Sequence, residues 1–439
     1  MILILWLACA QAAPAPLSLA DAEKTALERS PDLRGDAAAV RGAEEDERSQ
    51  RGLLLPKLNA QAQLQYWGSP YQVSFISPSA AASIPPAFAS FIQPISVRNT
   101  WTSTETLTLT QPLTSLWGLW SHLKALRVAR AAAVAHLSGA GRDLVFQVRQ
   151  AYFRLLQAHG NADIAQESVR QLASHLEVAQ QQFEAGTLVK ADLLRAEVQL
   201  GQARQDLAHA RALEKDAAGA LDSLLGRSAI EPVAAVDPFG EAPLPEPRGT
   251  LPELVDEALR SRPDLEELAL RRDQASREVT SAWSELVPTI ALMAQGQHQT
   301  GQLFFPTDQA FVGASLNWDV WDWGNKYYAV RSAEARRDQG EASLEAARLR
   351  LESEVQQAFD AIASDREALS VAAQVVDQAQ ESFRLETERY QAQTATSTDL
   401  LDAQAALSQS KYRLFNARYD YLTALAQLED LVGEPMLER

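Results

Sequence analysis

The sequence predicts a mainly α-helical chain built as a two-fold internal repeat. Each copy is read as a pair of β-strands feeding a long coiled-coil helical hairpin, and the four strands per chain are expected to close a barrel by oligomerising. Three observations predict this. Ala26-Leu27-Glu28-Arg29-Ser30-Pro31-Asp32-Leu33 returns as Ala258-Leu259-Arg260-Ser261-Arg262-Pro263-Asp264-Leu265, 232 residues on, while Asp192-Leu193-Leu194 returns as Asp399-Leu400-Leu401, 207 residues on. A repeat of that span makes the chain two copies of one unit, the first carrying about 25 extra residues between Pro56 and Val148. Proline is missing from Leu113–Glu231 and from Thr307–Glu434. Without it nothing forces a helix to break. Within those stretches apolar residues recur every seven, as in Leu193, Leu200, Leu207 and Leu221 beside Ala196, Ala203, Ala210, Ala217 and Leu224. Alternating spacings of three and four are the seam of a coiled coil.

In chain order, residues 1–10 read as a signal peptide: a short apolar stretch ends in Ala8-Cys9-Ala10, an A-x-A cleavage pattern, although the usual basic residues before it are missing. Cys9 is the single cysteine, and acylation there is the alternative reading. Residues 17–231 form the first repeat, with a helix, a strand pair at about 59–67 and 101–111, and a helical hairpin at 119–226. Asn59 to Tyr66 alternates polar and apolar residues, the period of a strand. The hairpin turns near Glu184-Ala185-Gly186-Thr187, where glycine suits a left-handed residue. Residues 232–249, with five prolines, form an irregular linker. Residues 250–434 repeat the plan: a helix, strands at about 289–299 and 311–321, and a hairpin at 324–433 turning near Gln391-Ala392-Gln393-Thr394.

Apart from Trp6, every tryptophan lies near the strands. Trp67, Trp101, Trp117, Trp120, Trp318, Trp321 and Trp323 sit beside strand ends, as the interfacial girdle of a membrane barrel requires. The competing reading is that these rings fill a soluble core beneath a small sheet. Four strands cannot close, and open edges cannot sit in lipid because their backbone groups would stay unpaired. Two copies would give a filled eight-stranded barrel; three would give twelve strands and a conduit. No apolar run approaches the ~20 residues of a spanning helix. A net charge of −17, with no basic cluster, argues against nucleic acid as a partner. The six histidines have no pair at three- or four-residue spacing, so neither a helical zinc site nor any other metal site or cofactor is expected, and no phosphate loop or nucleophile elbow appears.

From Leu17 to Gly433, the repeat, signal, strand pairs and paired long helices together resemble the TolC-like outer-membrane factor family of efflux and secretion ducts. The most specific local match runs from Tyr390 to Gln404, followed by Asn416-Ala417-Arg418-Tyr419. The resemblance implies a homotrimer in the outer membrane, in contact with its lipid, with a twelve-stranded barrel on a periplasmic α-helical tunnel. It also implies a periplasmic adaptor protein and an inner-membrane transporter as partners, and a passive exit duct rather than an enzyme. Gly186, Thr187, Asp192, Gln393 and Thr394 then fall at hairpin tips that dock the adaptor, and Asp399, Asp402 and Tyr390 at the periplasmic aperture. A ring of carboxylates there would attract cations and raise some of their own pKa values by repulsion. The plainer reading is that acids favour the first turn of a helix. Two departures stand out: Gln393 replaces the family's second tip glycine, and Ala395 stands where some members carry a basic latch residue. A soluble periplasmic coiled-coil adaptor is the alternative to the duct.

Overall fold

The computed structural model describes residues 16–81, 83, 85, 94–228, 234–240, 243–392 and 394–437; the expected signal peptide with Cys9, and Gln393, lie outside them. The elements run β1 (Pro16–Leu17), α1 (Leu19–Arg29), α2 (Pro31–Gly52), β2 (Lys57–Tyr66), β3 (Tyr71–Val73), α3 (Pro78–Ala81), β4 (Ile95–Pro112), α4 (Leu116–Glu184) and α5 (Lys190–Leu224). The second copy follows as β5 (Ala234–Ala235), α6 (Leu251–Ser261), α7 (Pro263–Ser284), β6 (Thr289–Gln302), β7 (Asp308–Asn317), α8 (Asn325–Gln391) and α9 (Ser397–Val432). They group into two compact units, one of Arg41–Ala132 with Leu268–Ser343, the other of the remaining segments.

The repeat is visible in how helices start. Ser18 caps α1 by accepting from the backbone N–H of Asp21, and Thr250 with Glu253, 232 residues on, caps α6 through a reciprocal box. Both α2 and α7 then begin on a proline, whose missing N–H costs nothing at a first helical position.

In the first unit, β2, β4, β6 and β7 form an antiparallel sheet in that order, with β3 added to β4. Register sorts its faces. Leu58, Leu109, Ala294 and Val312 stand opposite one another across the strands, as do Asn59, Thr108, Gln295 and Phe311 one residue over. One face is therefore mostly apolar and the other mostly Gln and Thr, the pattern of a barrel wall between lipid and water. Glu105, His298 and Asp308 interrupt the apolar face in one row, His298 Nδ1 lying 2.7 Å from Asp308 Oδ1. The last strand ends at Asn317 rather than near 321, because Asp322 turns the chain into α8. Its carboxylate accepts from the backbone N–H groups of Gly324 at 3.0 Å and Lys326 at 2.9 Å.

The tryptophans do not fill a core. Trp101, Trp117, Trp120, Trp318, Trp321 and Trp323 are between 46% and 85% exposed in the single chain. Trp67 differs: its indole N–H donates to Thr102 Oγ1 at 3.1 Å and its ring lies under Arg98, which puts it on the Gln/Thr side of the sheet, opposite Trp101.

The second unit is a helical assembly whose seams are the heptad columns: Ala196, Leu200, Ala203, Leu207 and Leu221 are buried, as are Leu400, Ala403, Leu407, Ser410, Tyr421 and Leu428. Each buried leucine contributes roughly 1.5–3 kcal/mol. Alanine and glycine let neighbours approach. Gly160 faces the Phe415 ring so closely that a methyl there would overlap it. Tyr152, fully buried, ties three segments together: its hydroxyl lies 2.7 Å from Leu17 O and 2.6 Å from Val236 O, and accepts from Val236 N–H at 2.9 Å. Its counterpart 207 residues on is Phe359, which has no hydroxyl. Arg149 bridges Glu23 at 2.5 Å and Glu429 at 2.7 Å beside this core.

Candidate functional site: the hairpin tips

Both tips carry the same pair of threonine bonds. In the first, α4 ends at Glu184, Gly186 takes the left-handed φ of +76°, and Thr187 returns its N–H and its hydroxyl to Gln182 O, each at 2.9 Å. In the second, Thr394 does the same to Arg389 O, at 2.8 Å and 3.0 Å. The threonine, rather than the glycine, is what the two described turns share.

The helices leaving the tips start differently, and the difference decides what each acid does. Thr396 caps α9: its hydroxyl accepts from Asp399 N–H at 3.2 Å, and Asp399 Oδ2 in return accepts from Thr396 N–H at 2.9 Å and Thr396 Oγ1 at 2.7 Å. Those bonds hold the Asp399 carboxyl below the usual carboxylate range. Within one chain the direction is therefore opposite to that expected of a repelling ring, and the acid of the cap is also the acid of the candidate aperture. At the matching place on α5 stands Val189, which has no side-chain cap. Asp192 there meets Arg195 instead, at 3.3 Å. Arg195, counterpart of Asp402, also donates to Thr398 Oγ1 at 3.2 Å and so joins α5 to the start of α9. Asp402 is exposed, one turn beyond Asp399.

Tyr390 is held by α4: its hydroxyl donates to Gln182 Oε1 at 3.1 Å, and its ring lies 5.3 Å from the His175 ring. Burial raises the Tyr390 pKa, with Asp192 adding to it. His175, 8% exposed, places Nε2 at 3.1 Å from Ser397 Oγ, itself 5% exposed. Burial pushes the His175 pKa below its ordinary value. The spacing of the histidines along the sequence gave no indication of this buried one. Its signal was positional: Leu172, His175 and Ala179 fall at seam spacing, and all three are buried.

The arrangement contains no acid–base pair poised against a cavity. Among the described residues no group of His, Cys, Asp and Glu could hold a metal ion, and no helix is long and apolar enough to cross a membrane. What it contains is a set of polar links between two helical hairpins at their turning ends, in a chain whose other unit carries a sheet with one apolar face. Those features define one protomer of a channel that joins a membrane barrel to a helical conduit.

Comparison with known proteins agrees. The profile described as outer membrane efflux protein matches residues 23–227 and 254–434, and the chain belongs to that family. Its two matched stretches are the two copies of the repeat. The outer membrane protein TolC of Vibrio cholerae is 24% identical over 428 residues, covering 95% of this chain and 90% of TolC. The alkaline protease secretion protein AprF of Pseudomonas aeruginosa is 26% identical over 300 residues, 66% of this chain but only 62% of AprF. The CmeC outer membrane channel of Campylobacter jejuni superposes with a TM-score of 0.81 at 17% identity, covering 94% of this chain and 85% of CmeC. The protein is an outer-membrane exit duct of efflux or secretion, with a large periplasmic portion. The soluble-adaptor alternative falls away with that membership.

Proposed function

We propose that three copies of this chain join their sheets edge to edge into a twelve-stranded barrel. Their hairpins form the periplasmic conduit, and the tip links close it until a periplasmic adaptor, bound to an inner-membrane transporter, draws the hairpins apart. The observation that carries the reading is the sheet itself: four strands, one apolar and one polar face, and the edge strands β2 and β7 each paired on one side only. Such edges are costly in lipid and are satisfied when the barrel closes.

The closing links are then Arg195 to Thr398 and Tyr390 to Gln182, which hold the second hairpin against the first. Asp399 is tied into its cap, so Asp402 is the acid free to face the conduit. Three exposed Asp402 carboxylates at a constriction would favour cations. Cargo is set by the pump that delivers it, since a wide polar conduit makes few specific contacts.

The purified protein in a planar bilayer is expected to pass a cation-selective current, and Asp402→Ala is expected to reduce that selectivity more than Asp399→Ala does. Equal selectivity in both variants and the parent would remove the carboxylates from the aperture. A protein that inserts but passes no current, even with Arg195→Ala, would remove the conduit.

A further inference from the structure

Charge is distributed unevenly along this chain. The unit formed by Arg41–Ala132 and Leu268–Ser343, which holds the sheet, contains 15 Lys and Arg against 14 Asp and Glu, whereas the whole chain carries −17. Nearly all the negative charge lies elsewhere. Within this unit a few of the cations stand next to exposed aromatic rings at the start of each long helix. Trp117, Trp120, Lys124 and Arg127 follow at spacings of three, four and three on α4, so they share one face, and all four are exposed. Lys124 Nζ lies 5.8 Å, and the Arg127 guanidinium carbon 5.7 Å, from the centre of the Trp120 ring.

The second copy carries a shorter version of the stripe, with Glu334 at the place of Arg127. At 207 residues beyond Trp120 and Lys124 stand Tyr327 and Arg331, preceded by Trp323, and all three are exposed. Nothing in coiled-coil packing demands this, because these positions are not on the buried seam. In both helices the rings come first after the strand and the cations follow about 6–10 Å further along the axis, at 1.5 Å per residue. Indole and phenol rings settle at the membrane–water interface, which brings cations one to two turns further out to the level of the lipid phosphates.

We infer that this repeated stripe is a recognition surface for the phosphate groups of anionic phospholipid in the periplasmic leaflet. It rests on the proposed barrel and goes beyond it, naming a lipid class and the residues that select it. The acids facing the stripe limit its strength. Arg127 shares Glu47 at 3.1 Å with Arg51 and Arg130, and Arg331 meets Glu334 at 2.9 Å. A free cation beside an anionic surface is worth roughly fivefold in affinity. Three cations per chain, two of them partly neutralised, therefore give about a tenfold preference.

The test uses the assembled protein in detergent, offered dioleoylphosphatidylglycerol and dioleoylphosphatidylcholine in equal amounts, with bound lipid counted by native mass spectrometry. The parent is expected to retain the phosphatidylglycerol about tenfold over the phosphatidylcholine, less so at high salt. Lys124→Gln with Arg127→Gln and Arg331→Gln is expected to bring the ratio below about threefold. Should the triple variant fail to assemble, Lys124→Gln alone, which removes the one cation without an acid partner among those described, is expected to lower the ratio about fivefold, to about twofold. No preference in the parent, an unchanged ratio in the variants, or displacement of the lipid by an equal concentration of inorganic phosphate would overturn the inference. Failure of the barrel reading looks different: the protein would be recovered without detergent and would retain neither lipid.

Discussion

Replacing Arg195 with alanine isolates one link across the tips. Arg195 Nη1 makes two contacts, to Asp192 at 3.3 Å and to Thr398 at 3.2 Å, and its side chain is 61% exposed. The Asp192 contact lies within α5 and survives any separation of the hairpins, so it resists nothing. The Thr398 contact spans α5 and α9 and is lost when they part. A hydrogen bond this exposed is worth about 0.5–1 kcal/mol after solvent screening. If the three protomers open together, the change is about 1.5–3 kcal/mol, which raises the ratio of open to closed channels roughly tenfold to a hundredfold. Single-channel recording in planar bilayers reads that ratio directly. Thr398→Val removes the same bond and is expected to match Arg195→Ala, while the double variant should open no further than either alone. Open probability unchanged in Arg195→Ala, with normal assembly, would refute the assignment of this link to closure; fully additive variants would show that the two residues act separately.

Three further outcomes are expected. Burial holds the folded-state pKa of His175 below its ordinary value of about 6.5. The closed cluster then keeps its stability above that pH and loses it as pH falls, until the folded-state pKa is passed. Conductance recorded from pH 7.5 down to 5 should rise in the parent and stay level in His175→Gln; identical pH curves would contradict it. Tyr152→Phe removes the hydroxyl's bonds to Leu17 and Val236, leaves the Val236 N–H only its 3.2 Å bond to Leu17 O, and is expected to cost about 0.5–1.5 kcal/mol, read as a lower denaturant midpoint, with an unchanged midpoint as the contrary result. Gly160→Ala should also lower that midpoint, since overlap with the Phe415 ring, itself packed 5.2 Å from the Tyr419 ring, costs about 1–3 kcal/mol against a helix-propensity gain of at most ~1 kcal/mol. A higher midpoint would mean that the ring moves aside freely.

Periodicity made the helices and strands readable from residues alone. The heptad columns are the buried columns, and the period-two stretch at Asn59 to Tyr66 lies within β2, because both patterns follow from which side of an element meets apolar neighbours. The end of β7 was less legible. The alternation of apolar residues continues through Trp318 to Val320, and only the capping bonds of Asp322, a local feature, stop the strand first. At the tips, Asp399 and Asp402 look equivalent in sequence, yet one is tied into a cap with Thr396 and the other is not. That distinction depends on Thr396 facing Val189 in the other copy, a comparison of polar with apolar at one helix start. The pairing of Arg195 with Thr398, and of His175 with Ser397, joins residues more than 200 positions apart and left no trace in local pattern. Position on a seam was the single available clue to His175.

The central claim is that four strands per chain become a closed barrel only when three chains meet. Native mass spectrometry of the full-length protein, extracted in detergent from the outer-membrane fraction, measures that number directly. The account predicts a particle of three chains that requires detergent and passes ions when transferred to a bilayer. A detergent-free monomer, or a particle of two chains whose eight strands would leave no conduit, would contradict it.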